Sequence, residues 1–137
     1  MNTHDVGSGR LLSYSGRTWK RAEIAVRCSP FQLTLLMAMQ HQSVSLRTIA
    51  GQSGLDLHYT DRPLPELVTE NELLWLIQVG VLRREVDGQG LTDSFRLTPL
   101  GRQLVEHWQA QGTHGFSVPS LWDRLYNIRN RWLRLSV

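Results

Sequence analysis

A chain of 137 residues with 41% hydrophobic and 20% charged residues has the make-up of one globular domain, which excludes wholesale disorder. Cys28 is the only cysteine, so a disulfide framework and a thiolate cage for zinc or an iron–sulfur cluster are both excluded. The net charge of +3 is unevenly spread: residues 61–100 hold four arginines against seven acids, and the remainder eleven basic residues against five acids.

In chain order, residues 1–16 are Gly/Ser-rich and aperiodic and read as a flexible tail. They contain no apolar run of the kind a secretory leader needs, so a cytoplasmic location is expected. Residues 17–110 read as the folded domain. It opens with a helix over Thr18–Arg27, on which Trp19, Ala22 and Val26 recur on one side. Ser29-Pro30 has the pattern of an N-cap with proline in the first turn, predicting a nearly all-apolar core helix from Phe31 to Met39. Ser43-Val44-Ser45 is a short extended link, and Ser45 is placed to cap a helix from Leu46 to Gln52 that Gly54 stops.

A polar connection with two prolines follows, from Asp56 to Pro65. Thr69-Glu70-Asn71-Glu72 fits a capping box ahead of the apolar run Leu73–Val79, which Gly80 ends; Pro65 leaves open a start one turn earlier. Residues 81–86 and 94–98 then read as two β segments around a Gly-rich tip, with Phe95 and Leu97 inward and Arg96 outward. Thr98-Pro99 starts a helix through Ala110. Residues 111–118 are a linker, and 119–137 form a C-terminal amphipathic basic helix. The expected fold class is therefore mainly α with a small antiparallel β-hairpin. Cys28–Leu46, the longest stretch without a formal charge, carries too many polar side chains for a bilayer span, so no membrane insertion is expected.

Three segments carry a resemblance to the winged helix-turn-helix superfamily over residues 29–108. Ser45-Leu-Arg-Thr-Ile-Ala-Gly-Gln-Ser-Gly-Leu resembles its second helix and turn. Leu73-Leu-Trp-Leu-Ile-Gln-Val-Gly-Val-Leu-Arg-Arg is similar to the end of a recognition helix entering the first wing strand. Phe95-Arg-Leu-Thr-Pro-Leu-Gly-Arg-Gln-Leu is similar to the second wing strand entering the next helix. The resemblance implies a winged helix with an extra helix at each end, and binding of double-stranded DNA by a helix in the major groove and a wing on the backbone. It places Arg47 where phosphate contacts are usual, Thr69, Glu70 and Asn71 toward the reading end of the third helix, and Arg83, Arg84 and Arg96 in the wing. Asn71 would pair with adenine.

Two features pull toward a different role. The connection between the second and third helices is long where a tight turn is usual. Residues 64–79 carry Glu66, Glu70 and Glu72 and no lysine or arginine, whereas affinity for DNA rests on phosphate neutralisation. The wing arginines themselves have a second reading, in which Arg84 or Arg96 pairs with Glu85 or Asp93 across the hairpin as a modest surface bridge.

In the C-terminal helix, Leu121, Leu125, Ile128, Trp132 and Leu135 recur at spacings of four, three, four and three, the seam of a coiled coil. This points to a partner or homodimer interface, or equally to packing on the helix's own domain; a membrane-surface helix ranks third. The five histidines are scattered without metal-ligand spacing, Gly51-Gln-Ser-Gly misses the nucleophile-elbow pattern, and Gly88-Gln-Gly is a hairpin turn. Neither enzymatic activity nor a metal or cofactor site is expected. Two functions follow: a DNA-binding transcriptional regulator, dimeric through its terminal helices, or a non-catalytic protein–protein interaction module using the acidic third helix and the basic C-terminal helix.

Overall fold

Ser15 opens the first helix in the computed structural model, which describes residues 14–111 and 125–131. Its hydroxyl accepts from the Thr18 amide at 3.1 Å, and α1 runs Gly16–Cys28 with Ala22, Ala25 and Val26 buried. Tyr14, just before it, packs against the core, and this burial pushes its phenol above the ordinary value of 10.0.

The next helix is shorter than the sequence pattern suggests. Ser29 does not cap it: its hydroxyl donates back to Val26 O at 2.7 Å and so closes α1. Phe31 is held in an antiparallel bridge with Thr60, and the Gln32 amide donates to Tyr59 O at 2.8 Å. These cross-links keep residues 31 and 32 extended, so α2 spans Leu33–Ala38. Met37, which would complete an all-apolar surface, is exposed.

Val44–Ser45 form β1, and Ser45 caps α3 as its side chain predicts, accepting from the Thr48 amide at 3.1 Å. The expected helix from 46 to 52 is two pieces, α3 (Leu46–Ile49) and α4 (Gly51–Asp56). Ala50 turns extended and Gly51 takes φ +66°, which aims the Gly51 amide at Leu64 O, 2.7 Å away. Gly54 does not stop the helix but lies inside α4. A Cβ there would sit 1.8 Å from Ile49 O, so only glycine lets the two pieces meet at this angle.

The third long helix, α5, spans Glu66–Gln78 with Pro65 at its N-cap position. It therefore starts a turn before the capping-box reading places it. Thr69 lies at the end of the first turn of α5, fully buried, and its hydroxyl donates to Pro65 O at 2.9 Å. Gly80 ends α5 as expected: with φ +90° it lets the Val81 amide donate to Leu76 O at 2.9 Å.

The chain then enters β2 (Leu82–Asp87), turns at Gly88-Gln89, and returns in β3 (Gly90–Leu97). All pairings are antiparallel and the order is β1-β3-β2, so β3 is the central strand. Arg83 faces Arg96 and Arg84 faces Phe95; the register shifts between Arg84 and Val86, and beyond the shift Val86 faces Leu91. Thr98 caps α6 (Pro99–Ala110), accepting from the Gly101 amide at 3.1 Å. The same hydroxyl donates toward Gly80 O and Val81 O, tying the end of α5, the entry to β2 and the start of α6 together.

The molecule is thus mainly helical with a small three-stranded antiparallel sheet. One continuous core joins Leu35 and Leu36 of α2, and Met39 just after it, to Leu73 and Leu76 of α5, Phe95 and Leu97 of β3, and Leu104 of α6. Phe95 and Leu97 point inward, as the strand alternation predicts.

Candidate interaction surface

The outward side of α5 carries Leu67, Asn71, Leu74 and Gln78, spaced as one helical stripe, with Val68 also exposed beside it. Leu67 is 68% exposed and Leu74 41%, on a helix whose ionisable side chains are Glu66, Glu70 and Glu72. Asn71 is exposed as expected but sits a turn and a half into α5, not at its tip, because the helix begins at Glu66. Thr69 is removed from any such surface by its burial, a correction to the placement that the capping-box reading gave it.

The hairpin lies against the next flank of α5, and there the charges are already matched. Arg84 Nη2 is 3.6 Å from the Glu70 carboxylate on α5, and Nη1 is 3.2 Å from Asp93 on β3. Nη1 also donates to Thr92 O at 3.2 Å, and the guanidinium lies over the Phe95 ring, 5.0 Å from its centroid. Arg96 pairs with Glu85 at 3.3 Å. The cross-hairpin pairings expected as the alternative for these two arginines are therefore formed. The tie to Glu70 is additional. It has no signature in the sequence, because it depends on the angle at which the hairpin meets α5.

Arg47, in α3, and Arg83, in β2, are exposed and carry no ionic partner among the described residues. Of the four arginines singled out in the sequence, these two stand open to solvent and two are engaged by carboxylates of their own chain. The end of the hairpin is apolar rather than cationic: Val86 is 58% exposed and Leu91, opposite it, 73%.

Residues 125–131 form a helical segment that packs on α5 through polar side chains. The Trp75 indole Nε1 donates to Asn127 Oδ1 at 2.9 Å, and Asn127 is buried. Arg131 reaches the Glu72 carboxylate at 3.4 Å while its guanidinium sits 5.4 Å from the Trp75 ring centroid. Lys20 of α1 lies over the Tyr126 ring at 5.6 Å. The heptad reading puts the contact face elsewhere. Leu125 and Ile128, two members of its seam, are 48% and 52% exposed; Leu121, Trp132 and Leu135 lie outside the described residues. Helical periodicity reveals a hydrophobic seam and gives no signal for the polar contacts that Asn127 and Arg131 make.

Among the described residues, no three His, Cys, Asp or Glu side chains gather as metal ligands, and no helix is long and apolar enough to cross a membrane. No curated protein and no solved structure matches the chain. The sequence profile that does match covers residues 12–131, so the chain belongs to the Npun_F0494-like family.

Proposed function

We propose that the chain is a non-catalytic protein–protein interaction module of winged-helix type, with the outward side of α5 as its contact surface. The winged-helix reading is supported by the order of parts: a helix, a two-part second helix, a third helix ended by Gly80, and a hairpin immediately after it. The observation that carries the choice of partner is the Glu70–Arg84–Asp93 cluster. A phosphate approaching Arg84 would have to displace two carboxylates that then stay beside it, and such neighbours repel the DNA backbone. Exposed leucines on a helix flanked by glutamates instead match an apolar protein surface with a cationic rim.

A second reading, DNA-binding transcriptional regulator, is favoured by the open guanidinium groups of Arg47 and Arg83. Fluorescence anisotropy of a labelled mixed-sequence duplex at two salt concentrations separates the two. For an interaction module we expect weak binding with a slope on a log–log plot no steeper than about −2, the value for two neutralised phosphates. Tight binding with a slope of about −5 or steeper overturns the module and establishes the regulator.

A further inference from the structure

We propose that the partner of the α5 surface is a second copy of this chain, whose basic terminal segment docks on it; this rests on the interaction-module reading above. The inference starts from which charges are left over. Of the three glutamates of α5, Glu70 is taken by Arg84 and Glu72 by Arg131, while Glu66 is exposed with no ionic partner among the described residues. Of the two arginines in residues 125–131, Arg131 is taken by Glu72, while Arg129 is exposed and likewise without an ionic partner.

Each leftover charge sits among exposed aliphatic side chains. Glu66 adjoins Leu67 and shares its helix with Leu74; Arg129 adjoins Ile128 and shares its segment with Leu125. One helix therefore offers an acidic, leucine-bearing surface and the other a basic surface of matching apolar character. The chain cannot join these two surfaces to each other, because Asn127 and Arg131 already fix the segment on a different flank of α5. A second copy can. Since α5 and the segment are in direct contact, the two surfaces belong to adjoining helices, and a two-fold axis lets each copy give its segment to the other's α5. Such an exchange satisfies both leftover charges twice and closes after two chains. The Arg131–Glu72 pair is the same chemistry already made within one copy.

Light scattering on the full chain after size exclusion tests this. The expected mass is that of two 15.7 kDa chains. Leu74→Glu and, separately, Ile128→Glu should each give a single-chain mass with an unchanged circular dichroism spectrum, since both side chains are exposed. Glu66→Arg and Arg129→Glu should each weaken the dimer about tenfold, and the double variant should recover most of that loss. A single-chain mass for the unaltered protein overturns the second-copy partner while leaving the interaction module to be judged by the duplex titration. A dimer indifferent to both glutamate substitutions overturns it as well, by placing the interface elsewhere. A single chain that binds duplex with a steep salt slope overturns the partner and the module together.

Discussion

His58 is a non-glycine residue in the left-handed region, at φ 63°, and the reason is local. It follows the last turn of α4, where its amide donates to Leu55 O at 3.0 Å and the Tyr59 amide donates to Gly54 O at 2.8 Å. That pair of bonds is the helix stop in which glycine is usual, because Cβ disfavours the conformation. The imidazole is exposed. His58→Gly should therefore raise stability by about 0.5 kcal/mol, part of the relief being offset by the freer unfolded chain. A small upward shift in thermal midpoint checks it; a downward shift would show that the ring makes a contact that its exposure conceals. Nothing in the sequence flags this position, since a histidine in a polar loop has the same local pattern whatever its φ.

Glycine decides how two elements meet where α6 crosses the entry to β2. A Cβ on Gly101 would lie 2.3 Å from Val81 O and 3.0 Å from Leu97 Cδ2. The carbonyl cannot retreat, because it accepts from the Thr98 amide at 3.0 Å. Gly101→Ala should cost about 3 kcal/mol through this overlap, although alanine is the better helix former. Gly88→Ala, at an exposed turn with nothing within 4 Å, should change stability by less than about 0.5 kcal/mol in the same urea titration.

At this scale most of the architecture was legible from sequence. Gly80 and Thr98 punctuate locally, and Phe95 and Leu97 obey strand alternation, so the end of α5, the hairpin and the start of α6 follow from short-range rules. The earlier start of α5 was one of the two that Pro65 allowed. The break at Ala50 and the burial of Thr69 do not follow from such rules: they are set by Leu64 O, which takes the Gly51 amide, and by the core beneath α5. The surface was half legible for the same reason. The glutamates, the arginines and two of their pairings were visible as residues; the Glu70 tie and the polar docking of residues 125–131 required the third dimension.

For the molecule as a whole, one buried hydrogen bond among the described residues joins the segment 125–131 to α5, beside the more exposed Arg131–Glu72 pair and the Lys20–Tyr126 contact. The Trp75 side chain is 6% exposed and Asn127 accepts from its indole N–H. Asn127→Ala leaves that N–H without a partner unless the segment lifts away to let water in, so stability should fall by about 1–3 kcal/mol. Asn127→Asp keeps an acceptor oxygen and should lose less. Equal losses for the two in chemical denaturation would show that the side chain's shape, rather than its oxygen, holds the segment.

The register shift at Glu85 divides the hairpin into a near length against the core and a short far length in solvent. Leu82, Phe95 and Leu97 root the near length in the core, whereas the far length is held by its own ladder and by the solvent-facing Val86 and Leu91. At the shift the Thr92 hydroxyl donates to Glu85 O at 3.0 Å and Arg84 Nη1 donates to Thr92 O at 3.2 Å, so the joint is cross-braced. The exposed Val86–Leu91 pair is thereby carried outward from α5 on a tied root rather than on a loose loop.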